Sequence, residues 1–373
     1  MHRAGPLRLC AVLASGLGVV SALFLSGCVT HALATRIVSA PNAAGLPPMY
    51  RDPKTLAAAD RTYTATWRTR VGPPDAEIAV GVIEPAAYEL NWEVKEVPKG
   101  DGTGTTTFNF NWNFADKAGK PFPPVQLKGT VLLLHGIMVS KEAMLPWAVY
   151  FARSGYRVVL VDLRGHGRST GKWIGFGAWE SDDLVKVIDE LQGRGLLAGK
   201  LGVFGQSYGG AIAIEFAAKD RRVAAVAAVA PFDDPRAVIP EFARGFNPKL
   251  ASKFSDQTFA AAEKEAARMA GFRWETLSVI DAVKRLHTPV LLFHGALDTW
   301  VAPKRTETLL ALAPAGSRRE VTPHDNHLTL MVRLDLVGPP ALAWFDENLV
   351  GSPGHGGLGR TPQDNRGSDR GHE

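Results

Sequence analysis

The residues Gly205-Gln206-Ser207-Tyr208-Gly209 place a serine between two glycines, one two positions before it and one two positions after. A serine hydroxyl is a poor nucleophile at neutral pH, so chemistry at Ser207 needs a base to take its proton and a third group to orient that base. The five-residue pattern alone recurs by chance in glycine-rich chains, and the flanking residues therefore decide its meaning. Apolar residues from Leu201 to Phe204 run into it, and Ala211 to Phe216 leave it with helical character. Strand, sharp turn, helix is the setting in which a serine oxygen is lifted above the edge of a sheet, and glycines keep such a turn free of clashes.

Other chemistries find less support. His135, His166 and His294 show no helical H-x-x-x-H or carboxylate-histidine spacing, so no metal is expected. No G-x-x-x-x-G-K-[ST] phosphate cradle occurs, and no cofactor is expected. The formal net charge of +5 falls to about +3 if the leader carrying Arg3 and Arg8 is removed. With no run of basic residues interleaved with aromatics, nucleic acid is not an expected partner.

Four further stretches, read with the serine motif, resemble the α/β-hydrolase family over roughly Tyr88 to Leu349. They are Leu134-His135-Gly136, the D-x-R-G-H-G-x-S loop from Asp162 to Ser169, Phe293-His294-Gly295-Ala296-Leu297-Asp298, and His324-Asp325-Asn326-His327-Leu328. The family keeps the chain order serine, acid, histidine. The resemblance implies Asp298 as the acid and His327 as the base, with His324 as a rival base and Asp233 and Asp234 as rival acids. The oxyanion formed in acyl transfer needs two backbone N–H donors. Tyr208 is expected to supply one, and Ile137 or Met138, after the His-Gly element, the other. His135 reads as a structural histidine under this loop, and the Asp162–Ser169 loop as a folding element.

These residues need a scaffold. Short apolar runs alternating with helical segments after Thr130 predict a mostly parallel sheet with helices on both faces. The expected strands are 130–134, 157–161, 201–204, 223–229 and 290–293. Before them, Tyr88 to Lys95 and Phe108 to Phe114 alternate apolar and polar residues, and Lys99 to Gly104 supplies turn glycines, which predicts an antiparallel hairpin with a buried aromatic face. A helical lid is expected over 231–288. It carries Phe232, Phe242, Phe246, Phe254, Phe259, Met269, Phe272 and Trp274, enough apolar surface to line an acyl pocket or to pack the lid down.

The chain begins with Arg3 and Arg8, then an apolar stretch from Leu9 to Leu25, then Leu25-Ser26-Gly27-Cys28. This reads as a secretory leader, and its end resembles the lipobox of bacterial lipoproteins, whose cysteine carries acyl chains such as palmitate; an uncleaved anchor is the alternative. Cleavage there leaves one cysteine, so no disulfide is expected. The expected organisation is a signal peptide over 1–27, a proline-containing tether over 28–60, an α/β-hydrolase domain over 61–350 and a disordered tail over 351–373. The resulting expectation is an envelope-localised serine hydrolase, on the outer membrane if the cell has one. It would be held by a lipidated Cys28 and cleave an ester, or alternatively a thioester or amide, of a small or lipid-like acyl substrate through an acyl-enzyme on Ser207, as a carboxylesterase or lysophospholipase in preference to a peptidase, an acyltransferase or a non-catalytic scaffold.

Overall fold

The computed structural model describes residues 27–44, 53–98 and 104–350. The leader up to Ser26, Pro47 and Pro48 of the expected tether, the turn at 99–103 and the tail from Gly351 lie outside the described residues.

Five strands form the centre: β5 (Gly129–Leu134), β6 (Tyr156–Val161), β7 (Leu201–Gln206), β8 (Val223–Val229) and β9 (Val290–Gly295). They are buried on both faces, which is why they read as apolar runs rather than alternations. The two-residue period sends Leu132, Leu134, Val159 and Val161 into one core and Val131, Leu133, Val158 and Leu160 into the other. Strands β1 (Ala65–Val71), β2 (Ala76–Ile83) and β10 (Arg318–Thr322) complete an eight-stranded sheet of order β1-β2-β6-β5-β7-β8-β9-β10. Strand β2 runs antiparallel to both β1 and β6, and the other pairings are parallel.

The expected aromatic hairpin exists as β3 (Glu89–Pro98) and β4 (Gly104–Asn113), but it forms a separate two-stranded sheet. Its Trp92, Phe110 and Trp112 pack half-buried on the core, with Trp92 edge-on to Tyr150. The antiparallel start of the main sheet is instead the β1–β2 hairpin.

Helices cover both faces. On one side lie α4 (Leu145–Arg153) and α13 (Leu334–Phe345), and on the other α5 (Glu180–Gly193), α6 (Tyr208–Lys219), α10 (Val279–Lys284) and α11 (Lys304–Leu312). Helix α10 packs on α6 through buried Val279, Ala282 and Val283, so it belongs to the sheet's covering layer. The lid is accordingly shorter than 231–288. It consists of α7 (Pro235–Phe246), α8 (Pro248–Ala251) and α9 (Asp256–Ala270).

The largest departure from expectation is the segment 28–60, read as a tether. Residues 27–38 form a helix, α1, whose Ala34, Ile37 and Val38 are buried in the same core as Phe176 and Ala266. The following residues are stitched to the 162–174 loop. The Ala40 N–H donates to Lys172 O at 3.1 Å, the Ile174 N–H to Val38 O at 2.9 Å, and Asn42 Nδ2 to Ser169 O at 2.9 Å. Short helices α2 (Pro41–Ala44) and α3 (Pro53–Asp60) follow. Prolines there initiate helices, because a proline at the first helical position gives up only an N–H with no intrahelical partner.

Candidate active site

Ser207 lies between the end of β7 and the first residue of α6 with φ 51° and ψ −114°. A non-glycine residue held at positive φ is strained and persists only where its surroundings enforce it. Here the Ser207 N–H is tied to Val229 O at 2.7 Å and its carbonyl accepts from the Ala211 N–H at 3.1 Å. Gln206 anchors the turn from below, donating from Nε2 to Met331 O at 2.7 Å. Gly209 is required by close approach, since a Cβ there would sit 2.5 Å from His135 O.

His327 opens α12 (His327–Leu330), a single turn fixed by a capping box. Asn326 Oδ1 accepts from the Leu328 and Thr329 N–H groups at 3.0 Å each, and Thr329 Oγ1 accepts from the Asn326 N–H at 2.9 Å. The imidazole thereby reaches both partners. Its Nδ1 lies 2.7 Å from Asp298 Oδ2, and its Nε2 lies 2.9 Å from Ser207 Oγ. A carboxylate facing Nδ1 keeps the proton there, which leaves the Nε2 lone pair toward the serine hydroxyl. Trp300 stacks on the ring at 5.3 Å between centroids.

Asp298 is buried, and burial alone would raise its pKa. Hydrogen bonds from His294, His327 and the Val301 N–H outweigh burial and hold the carboxyl well below the usual carboxylate range. Its Oδ1 accepts from the Trp300 and Val301 N–H groups at 2.8 and 2.9 Å. His294 lies 3.4 Å from Oδ2 and donates from the same Nε2 to Val301 O at 2.9 Å, bracing the acid loop.

The rivals are occupied elsewhere. Asp233 pairs with Arg305 at 2.6 Å, and Asp234 caps α7 by accepting from the Arg236 N–H at 2.9 Å. His324 is exposed, and no bond joins it to Ser207 or Asp298.

The loop carrying Ile137 and Met138 passes over the serine. A Cβ on Gly136 would lie 3.6 Å from Ser207 Cβ, and both residues line the same cavity as Ser207 and Tyr208. Met138 is held at φ 65°. Tyr208, as the first residue of α6, has a backbone N–H that no turn of the helix can accept. Beneath the loop, His135 accepts from the Leu163 N–H at Nε2 (3.0 Å) and donates from Nδ1 to Gly136 O (2.7 Å). Burial lowers its pKa to about 4, so it stays a neutral brace. A buried ion network pins the loop's far end. Lys141 Nζ lies 2.7 Å from Glu142 Oε1 and 3.0 Å from Asp162 Oδ2, and Asp162 also accepts the Lys141 and Arg168 N–H groups at 2.7 and 2.9 Å. These bonds hold the Asp162–Ser169 loop against the one that carries Ile137 and Met138.

Behind Ser207, the Tyr208 hydroxyl donates to Glu180 Oε1 at 2.8 Å and accepts from the Phe176 N–H at 3.0 Å. Neighbouring Glu215 is buried. Desolvation, aided by the charge of Glu180, raises its pKa to about 8.

Above Ser207 lies a cavity of about 310 Å³. The lid supplies Phe242, Phe246, Phe254 and Phe259 to its wall, with Phe232 just before α7, while α1 and the residues after it supply Leu33, Arg36, Ile37, Ser39 and Pro41. The other lid aromatics pack downward: Phe272 meets Trp179 and Trp274, and Trp274 meets Phe176. Floor and lid are joined where α7 crosses the acid loop. A Cβ on Gly245 would sit 2.4 Å from Thr299 O, and Phe242 and Phe246 both pack edge-on to Trp300. Two contributors escaped the sequence reading. Trp300 has no motif to mark it, whereas the apolar spacing of Leu33, Ala34, Ile37 and Val38 was a helical signal masked by the adjoining leader and prolines.

The strand order, the turn geometry and the two-sided helical cover define the α/β-hydrolase fold. Residues 129–279 match the family model described as alpha/beta hydrolase fold. Among curated relatives, the uncharacterized protein YqkD of Bacillus subtilis is 26% identical over 201 residues, 52% of this chain and 63% of the relative. Protein bem46 of Schizosaccharomyces pombe is 25% identical over 193 residues, 51% of this chain and 58% of that protein. The match therefore spans less than two thirds of either relative. Among solved structures, a 2,6-dihydroxy-pseudo-oxynicotine hydrolase superposes with a TM-score of 0.52 at 19% identity, covering 81% of this chain and 72% of that one, a likeness of fold.

Proposed function

We propose that this chain is a serine hydrolase that cleaves esters of apolar acyl groups through an acyl-enzyme on Ser207. The observation that carries the reading is the unbroken path Ser207 Oγ–His327–Asp298, with links of 2.9 and 2.7 Å, opening into a cavity walled by apolar side chains. In this scheme Ser207 Oγ attacks the carbonyl carbon as its proton passes to His327 Nε2. The backbone N–H of Tyr208, with that of Ile137 or Met138, stabilises the oxyanion, each donor contributing about 10²-fold to 10³-fold in rate. Collapse breaks the ester bond, and the leaving alcohol takes the proton from His327. Water, deprotonated by the same imidazole, then releases the acid and restores the serine. Asp298 holds the imidazole and stabilises its charged form.

A fluorophosphonate probe tests this scheme. Labelling is expected on the intact chain and absent in Ser207→Ala; an unlabelled parent chain would overturn it. The apolar walls favour a carboxylesterase or lysophospholipase over a peptidase, and p-nitrophenyl esters of increasing chain length beside peptide amides check that preference.

We further propose that the chain is held at a cell envelope through a lipidated Cys28, which is exposed near the start of α1. Among the described residues no helix is long and apolar enough to cross a membrane. Cys28→Ser is expected to move the protein from the membrane fraction to the soluble one, and continued retention would sink the lipid-anchor reading.

A further inference from the structure

We propose that the mouth of the cavity, formed by α1 on one side and by α7 and α8 on the other, is a docking surface for an anionic lipid bilayer. From that bilayer the cavity draws the acyl chain of its substrate. The inference rests on the serine hydrolase reading and adds the source and class of the substrate, a lipid-borne ester.

Apolar exposure comes first. Phe246 and Leu250 line the cavity yet are 49% and 50% exposed, and they sit on consecutive helices at its rim. Side chains that both line a pocket and face solvent form an apolar lip, the kind of patch that marks an interaction site.

Charge at the lip is one-sided. Arg36 lines the cavity, and Lys249 and Lys253 flank the lining residues Leu250, Ala251 and Phe254; all three cations are exposed and none has an ion-pair partner among the described residues. Two carboxylates of the lid helices are already engaged, Asp256 by Arg244 and Glu241 by Arg305. Uncompensated cations beside exposed aromatic and aliphatic groups complement an anionic headgroup layer over hydrocarbon.

Chain geometry supplies the third argument. Helix α1 rises about 1.5 Å per residue, so Cys28 lies about 8 Å along the axis from Leu33 in the cavity wall. The apolar stretch from Leu9 to Leu25 enters the structure at this end of α1, where Val29 is 40% exposed. Lipid on Cys28 would thus be attached about one and a half helical turns from the pocket wall. The bilayer therefore meets the lip without a long linker.

The test uses the full chain reconstituted into vesicles of phosphatidylcholine alone or mixed with phosphatidylglycerol. Each preparation is presented with a long-chain fatty ester in the bilayer and, separately, with water-soluble p-nitrophenyl butyrate. Hydrolysis of the embedded ester should rise with phosphatidylglycerol and fall with added salt. The double variant Lys249→Glu/Lys253→Glu should lose at least about tenfold on the anionic vesicles, since each cation near such a surface contributes roughly fivefold. These lysines lie outside the cavity wall, so the variant should keep the parent rate on the soluble ester and the parent fluorophosphonate labelling. Equal rates on both vesicle types, or an unaltered variant, overturn the docking surface. A parent chain that labels with nothing and cleaves neither ester overturns the Ser207 reading instead.

Discussion

The floor of the site and its walls are built on opposite principles. The floor, from β5 to β9, is a lattice of directed bonds in which both carboxylate oxygens of Asp298 have partners and even the turn at Ser207 is tied at both ends. The walls, from α1 and α7 to α9, meet through apolar side chains and a few peripheral ion pairs such as His31–Glu265 at 3.3 Å. Directed bonds fix a reaction geometry to tenths of an ångström, whereas apolar packing only bounds a volume. In the proposed reaction the floor would set what bond can break and the walls which molecule presents it.

Substitutions should separate the two. The largest effect is expected from Ser207→Ala, which removes the attacking oxygen and should lower kcat on a p-nitrophenyl ester by about 10⁶-fold with the thermal midpoint nearly unchanged. Asp298→Asn should cost about 10⁴-fold in kcat by favouring the wrong imidazole tautomer. Because its pKa is depressed in the folded state, Asp298 contributes stability above the ordinary carboxylate range near pH 4, and that contribution is lost as pH falls toward the folded value. The stability gap between the Asp298→Asn variant and the parent protein should therefore narrow in acid denaturation series.

Next in size is Asp162→Ala, which takes from the buried Lys141 one of its two carboxylate partners and from the Lys141 and Arg168 N–H groups their acceptor, and should lower unfolding free energy by about 3 kcal/mol in urea titrations. A wall change should do something different in kind. Leu33→Trp narrows the cavity and is expected to reduce kcat/KM for long esters relative to short ones by about tenfold, while leaving the pH profile in place. Parallel loss on every chain length would erase the distinction between floor and walls.

The smallest effect concerns Glu215. Its folded pKa of about 8 lies above the unfolded value, so the native state holds an extra proton between roughly pH 4.5 and 8 and stability declines as pH rises through that window. Glu215→Gln should flatten that decline, gaining a few degrees in thermal midpoint at pH 8 and little at pH 5.

What could be read in the sequence follows the same division. Strands β5 to β9 were legible because burial on both faces demands continuous apolar runs. Strands β1 (ATWRTRV) and β10 (RREVT) were not, since as sheet edges they carry arginines with exposed faces. Ser207, Asp298 and His327 stood out because their positions are tied to glycines and strand ends, and the structure brings the three together. Trp300 supports them with no motif to mark it, and His294 stands in the stretch that ends at Asp298 without a sign there of the brace it forms. The wall from α1 was misread as a tether because its apolar face is only four residues deep, and what it packs against lies far away along the chain.

That distance has a consequence for how the molecule comes into being. Helix α1 leaves the ribosome among the first elements, yet its partner Glu265 follows His31 by 234 residues. Until α9 exists, α1 lacks the helix it packs against, so a contact spanning 234 residues must form before this wall of the chamber over Ser207 closes. A chain ending before α9 would hold Ser207 and its turn but lack one wall of the chamber above them.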